Sequence, residues 1–439
     1  MRSNGNSGKK KRICWNTRLR QIQKPFLHLL NISPLFYLRG YLNTGILDKE
    51  LVNEAQKRLA FGFSRFQETA PPSRTTSWEW AVYALGYAHS DWNYAWKCFD
   101  QALKEQLPSG AIPLSVPGAA LPTAPLLLER PYQALALWRL FESAPSRENG
   151  LDLLRHFFPK ILKHQQYWYR NRDLEDNGLV CLIHPLEAPL PVQAEDLLEK
   201  ETFPAAAGFQ YNAPAHRAAS GGSAVSSLPE KDSLFQIQDP YLNALICLSN
   251  TALLHMGRYL RMETPELLEL QELTVFSVNE KLWNAEYGAY FAVDLLSGNT
   301  IISGSLAGWM PLISAIPDQA NAEAMRISFE ANFLDDDYRL CPTQPIPANH
   351  TDFHAPGKGA LHLWENWLLY QGLLQFDFRD LAHKVRKDTL ELVGEYGFHL
   401  FFHPQRSLVE HLGLDRGNEA AAAAIFLEFL QGAPFQLED

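Results

Sequence analysis

The chain has 439 residues, 46% of them hydrophobic and 20% charged, and a formal charge of −10. These proportions describe a globular chain with enough apolar residues for a large core. The acidic balance excludes the dense Lys/Arg face that a phosphate backbone demands, so no nucleic-acid partner is expected.

Length alone admits two or three average domains or one large helical domain. Near the N-terminus the basic cluster Lys9–Arg12 reads as a solvated tail. The apolar stretch Pro25–Leu38 follows it, but Asn31 and Pro34 interrupt it and no small-residue cleavage site is evident. It is also shorter than the roughly 20 residues that a membrane span needs. Residues 1–39 are therefore expected to form a tail and a short apolar helical segment, with no membrane span. The cysteines Cys14, Cys98, Cys181, Cys247 and Cys341 are odd in number and far apart, with no CxxC pair and no His at ligand spacing. That usage fits a reduced, cytoplasmic protein and implies no metal site.

From Leu51 onward the apolar spacing is helical. Trp78, Ala81, Val82 and Leu85 recur at one-face intervals, as do Leu153, Leu154, Phe157, Phe158, Ile161 and Leu162. The Ala-, Ser-, Gly- and Pro-rich segment 203–230 is expected to be a flexible excursion, read as a solvated linker in preference to an active-site lid. Asp239-Pro240 is a helix start, because Asp caps free N–H groups and Pro at the first helical position needs no donor, and it predicts a helix over Tyr241–Arg258. Tyr290–Asp294 alternates like a short strand, but no βαβ rhythm appears. Ala422, Ile425, Phe426, Phe429 and Leu430 predict a last helix buried on one face. The connections Leu107–Pro125 and Leu340–Gly359 are long for a plain bundle, and long ordered loops tend to carry function. The pattern fits a toroid of helical hairpins whose loops build a concave site at one end.

A series of short motifs runs along this frame. It comprises Trp78-Glu79-Trp80, then Gln106 with Gly110-Ala-Ile112-Pro113, then Thr123-Ala-Pro125. Next come Asn171-Arg172-Asp173 with Asp176-Asn-Gly178-Leu179, His184-Pro185-Leu186-Glu187 ending at Pro191, and Gln238-Asp239-Pro240-Tyr241-Leu242-Asn243. Lys358-Gly359-Ala360-Leu361-His362, Asn366-Trp367-Leu-Leu-Tyr370-Gln371-Gly372 and Glu410-His411-Leu412-Gly413 complete it. In this order, over most of residues 75–432, the chain resembles the (α/α)6-barrel glycoside hydrolases of family 63, the mannosylglycerate and glucosylglycerate hydrolases and, more distantly, the family 37 trehalases. The resemblance implies an all-α (α/α)6 barrel over 40–435, an inverting hydrolysis and Glu410 as general base. The position at which those enzymes keep their general acid holds Pro191, their pocket Arg is replaced by Lys358, and aromatic residues are replaced by His362 and Glu419.

Inverting hydrolysis needs one carboxylic acid to protonate the leaving oxygen and one carboxylate to activate water. Proline has no proton to give, and a general acid is worth about 10²–10⁴ in rate. Glu187 or Glu195, with Asp196 beside it, is left as a replacement acid. Trp78, Trp80 and Trp364 suit stacking on a sugar ring, whereas Trp367 is expected in the core. Glu79, Gln106, His184, Asn243, Lys358 and His362 can hydrogen-bond sugar hydroxyls. Asp173, Asp176 and Gly178 lack the full spacing of a calcium loop and read as a turn. The expected partner is a small carbohydrate or glycoside, without a nucleotide or redox cofactor. Two functions stay open: a weak inverting α-glycosidase on small glucosides or mannosides, and a catalytically degenerate member of the fold that binds carbohydrate or protein.

Overall fold

The structure, a computed structural model, describes residues 49–68, 75–114, 126–190, 233, 235–334, 342–343, 360–403 and 419–432. All of them belong to one unit spanning 48–439. The expected N-terminal segment and the excursion at 203–230 lie outside the described residues.

The described helices are of two kinds, told apart by burial. The first kind is buried nearly all round: α2 (Ser77–Ala88), α4 (Gln133–Glu142), α6 (Pro240–Leu260), a 3₁₀ helix (Leu306–Ser314), α9 (Leu363–Gln375) and α11 (Glu419–Gln431). The second kind buries one stripe or a few residues: α3 (Trp92–Ala102), α5 (Arg147–Arg172), α7 (Pro265–Lys281), α8 (Gln319–Phe333) and α10 (Arg379–Tyr396). α1 (Lys49–Glu68) precedes them and buries Ala55 and Leu59. Along the chain the two kinds alternate strictly. A helix that is apolar on every face must be enclosed, and one with a single stripe can face water, so the first set is an inner ring and the second an outer one. The inner members touch in the circular order α2, α4, α6, 3₁₀ helix, α9, α11 and back to α2.

Local chemistry starts these helices, and at α6 it does so where the sequence predicts. Asp239 accepts from Leu242 N–H at 2.7 Å with Pro240 at the first position, so α6 begins as its Asp-Pro pair implies. Thr76 and Glu79 form a reciprocal capping box on α2. Asp91, Ser146 and Asp318 cap α3, α5 and α8. Asp173 accepts from Asn177 and Gly178 N–H, and Gly178 takes φ 83°, which makes this segment the expected turn. Trp367 is fully buried, as its spacing predicts.

Short antiparallel pairs sit on the connections between helices. β1 (Ile237–Gln238), β4 (Ala292–Asp294) and β5 (Asn299–Ile301) form a three-stranded sheet, with Ile237 opposite Asp294 and Val293 opposite Thr300. β2 (Trp283–Asn284) pairs with β3 (Ala289–Tyr290), and β6 (Leu361–His362) pairs with β7 (Phe401–Phe402). Because inner and outer helices alternate, successive inner helices run the same way. Their N-termini, and the connections that enter them, share one end of the ring.

Candidate active site at the N-terminal ends of the inner helices

Four inner helices bring aromatic side chains to that end. Trp78 is the second residue of α2, and its ring lies 5.8 Å from Trp364 in an edge-on arrangement and 6.3 Å from His362. Trp364, in the first turn of α9, meets Tyr132 edge-on at 5.3 Å, just ahead of α4. The Tyr132 hydroxyl is 3.5 Å from that of Tyr241, in the first turn of α6. His362 stacks on Phe401 at 4.4 Å.

Beneath these rings lies the segment Leu128–Gln133. Leu128 N–H donates to Glu187 Oε1 at 2.8 Å, Glu129 N–H to Ile112 O at 2.8 Å, and Arg130 Nη2 to Ala188 O at 2.7 Å. Gln133 Nε2 donates to Ser77 Oγ at 2.9 Å, which joins the segment to the start of α2. Several buried polar atoms here have no hydrogen-bond partner among the described residues: Trp78 Nε1, Glu129 Oε2, Arg130 Nε and Gln133 Oε1. One unpaired buried group costs about 1–3 kcal/mol, and folded proteins rarely gather them without a reason. A cluster of donors and acceptors between aromatic faces fits a polyhydroxylated ligand.

Electrostatics set the protonation of this cluster. Burial pushes the Glu129 carboxyl up to about 7, against the pull of the neighbouring Arg130 guanidinium, and the charge on Glu79 adds to the rise. Burial, and then Arg130, pushes His362 down to about 3, so its imidazole is neutral, with Nδ1 against Glu365 Oε2. Burial pushes Asp239 up to about 6 although it caps α6.

The residues singled out from the sequence are distributed unevenly. Trp78, Glu79 and His362 come together at this end, with Glu79 Oε2 accepting from Thr76 N–H at 2.6 Å. Trp80 turns into the core and packs edge-on against Tyr83, because it lies on the opposite side of α2 from Trp78. Gln106, expected to meet a sugar, instead spends its amide hydrogens on Gly110 O and Lys160 O at 3.1 and 2.8 Å. Asn243 is fully buried and clamps Val180, accepting from its N–H at 2.9 Å and donating to its carbonyl at 3.0 Å. His184 caps the 3₁₀ turn Pro185–Glu187, its Nδ1 accepting from Leu186 N–H. Glu187 is fully buried; its Oε1 accepts from Leu128 N–H and from Arg172 Nη2 at 2.8 Å each, and its Oε2 from Ile183 N–H at 3.0 Å. Both oxygens of that carboxylate are therefore already claimed. Glu195, Lys358 and Glu410 lie outside the described residues, as do Pro191 and Thr123–Pro125.

Sequence reading missed Glu129, Arg130 and Tyr132. Their signal was available: a charged pair set between the apolar run Leu126–Leu128 and Pro131, directly before a helix buried on all sides.

A family model described as the mannosylglycerate hydrolase MGH1-like glycoside hydrolase domain matches residues 72–413. The chain belongs to this glycoside hydrolase family. A curated relative, the mannosylglycerate hydrolase of Thermus thermophilus, is 26% identical over 409 residues, which cover 80% of this chain and 92% of that protein. Two crystal structures of the glycoside hydrolase family 63 mannosylglycerate hydrolase from Thermus thermophilus are similar in fold. The one in complex with glucose superposes with a TM-score of 0.67 at 23% identity, over 86% of this chain and 100% of that one. The one in complex with Tris and D-glycerate superposes at 0.68 and 21% identity, over 85% and 100%. The alternating inner and outer helices of this family member thus form an (α/α)6 barrel.

Proposed function

We propose that the protein binds and hydrolyses a small α-mannoside or α-glucoside, with the sugar held against the ring cluster of Trp78, Tyr132 and Trp364. The observation that carries this reading is the group of unpartnered buried polar atoms at Trp78, Glu129, Arg130 and Gln133, set among edge-on aromatic rings where the inner helices start. Sugar hydroxyls supply both the donors and the acceptors that those atoms lack, and sugar C–H faces pack on the rings. Arg130 places a cation beside the cluster, which suits an acidic aglycone. The relatives' names and ligands support the same class: a mannosylglycerate hydrolase, and structures holding glucose or D-glycerate. In this reading Glu410 is the base that activates water, on the strength of its Glu-His-Leu-Gly motif ahead of α11.

A binding-only member is the second reading. Pro191 and the commitment of Glu187 to Arg172 favour it. Calorimetric titration of the full chain with mannosylglycerate and glucosylglycerate, alongside release of the free hexose, separates the two. The hydrolase reading expects saturable binding, weakened at least about tenfold by Trp78→Ala, and turnover that Glu410→Gln abolishes while leaving binding intact. Binding with no hexose released selects the second reading, and no binding to either glycoside rejects both.

A further inference from the structure

Hydrolysis with a single displacement at the sugar carbon requires a carboxyl group that arrives protonated beside the leaving oxygen. The described carboxyl groups at the inner-helix N-terminal end are Glu79, Glu129, Glu187, Asp239 and Glu365, and most are spoken for. Glu79 closes the capping box on Thr76, and Asp239 caps α6 through Leu242 N–H at 2.7 Å. Glu187 is bound to Arg172 and to two backbone amides, and Glu365 Oε2 lies against His362 Nδ1. Glu129 has no side-chain partner among the described residues: its Oε1 accepts from Arg130 N–H at 3.2 Å, the Trp78 backbone N–H also favours its charged form, and Oε2 makes no hydrogen bond within 3.5 Å among those residues.

From this geometry we propose that Glu129 is the proton donor to the leaving group, an assignment that rests on the glycosidase reading above. Its backbone is held on both flanks: Leu128 is tied to Glu187, Glu129 itself to Ile112, Arg130 to Ala188, and Pro131 fixes the turn into α4. A carboxyl on such a support needs little reorganisation to meet a bound oxygen. A purely structural carboxylate would be expected to pair both oxygens, as Glu187 does. The charged and titratable groups facing it are Arg130, Glu79 and Tyr132, with His362, Glu365 and Tyr241 one layer beyond. Burial holds the proton on Glu129 up to about pH 7, so the group is loaded at the start of a cycle near neutrality.

In the step itself, the Glu129 O–H proton moves to the glycosidic oxygen as the bond from that oxygen to the sugar carbon breaks. A water oxygen bonds to the same carbon from the opposite face and gives its proton to the base of the reaction. The products are the free sugar and the aglycone alcohol, and one proton returns from that base to Glu129 through solvent.

The test compares two leaving groups on the full chain: mannosylglycerate, whose alkoxide needs a proton, and dinitrophenyl α-mannoside, whose phenolate does not. Glu129→Gln should lower kcat on mannosylglycerate by about 10²–10⁴ and on the aryl mannoside by less than about tenfold. Wild type provides a reading independent of how the variant folds: kcat on mannosylglycerate should fall as pH rises past about 7, and kcat on the aryl mannoside should not. Equal loss on both substrates, no loss on either, or a basic limb shared by both overturns the assignment. Wild type that binds mannosylglycerate without turning over either substrate overturns the proton donor alone, whereas wild type that binds neither sinks the glycosidase reading with it.

Discussion

Replacing Glu187 with Ala should destabilise the protein by about 4–5 kcal/mol, because Arg172 and Glu187 are both 0% exposed and 2.8 Å apart. The carboxylate satisfies Arg172 Nη2 and the backbone N–H groups of Leu128 and Ile183. Removing it strips the buried guanidinium of its counter-charge, which costs about 3–5 kcal/mol in comparable pairs, and leaves two backbone amides without an acceptor at about 1 kcal/mol or more each. These terms share partners and do not add fully. Arg172 keeps Leu126 O as an acceptor at 2.8 Å, and this limits the loss. The decisive comparison is the double variant Arg172→Met/Glu187→Met, which removes both charges and fills the space. It should be less destabilised than Glu187→Ala, by about 2 kcal/mol, because no buried charge is left uncompensated and the losses are confined to neutral backbone groups, the amides of Leu128 and Ile183 and the carbonyl of Leu126. Urea unfolding followed by tryptophan fluorescence reads all three proteins. A cost below about 1 kcal/mol for Glu187→Ala, or a double variant as unstable as the single one, would refute the picture of a carboxylate committed to holding the connection at 183–188.

Glu129 links function to stability through pH. Its folded-state value rises from 4.5 to about 7, so between these values the folded state keeps a proton that the unfolded state loses, and wild-type stability should fall across that window by about 3 kcal/mol. Glu129→Gln removes the titrating group, and its advantage over wild type should therefore be about 3 kcal/mol larger at pH 8 than at pH 4; parallel stability curves for the two proteins would contradict this. Gly86→Val tests a close inter-helix approach, since a Cβ there would stand 2.6 Å from Ala424 Cβ and 2.9 Å from Ala424 Cα. A loss of about 1–3 kcal/mol in urea unfolding is expected, and a neutral outcome would mean that α2 and α11 can separate freely.

Much of the fold was legible because it rests on local chemistry. Asp239-Pro240 marks the start of α6 by what those two side chains do to backbone donors, and the apolar spacing around Ile425 and Phe429 marks α11. The 3₁₀ helix Leu306–Ser314 is harder to see. It takes an inner-ring place, yet it contains Pro311, and Gly308 passes so close to the backbone of Tyr290 that a Cβ would lie 2.7 Å from its carbonyl oxygen. Helical periodicity does not register such an element. The site was legible by residue type and not by partner: Gln106 and Asn243 are suited to sugar hydroxyls, but an amide serves a carbonyl equally well, and which it meets depends on α5 and on Val180, both distant in sequence. Glu129 shows the converse. Its place between an apolar run and Pro131 hints at burial, but its partners do not show along the chain, because Trp78 and Glu79 reach it from α2.

The last inner helix carries a further consequence. Ala420–Ala424 presents a smooth face that lets α11 settle against α2, and Arg58 on α1 reaches Glu419 at 2.6 Å. The earliest described helix and the latest are thus neighbours, and during synthesis the apolar faces of α1 and α2 must wait for almost the whole chain before their cover exists. Until α11 has emerged from the ribosome, a nascent chain displays an open seam beside Leu59 and Gly86, a natural place for a chaperone to hold.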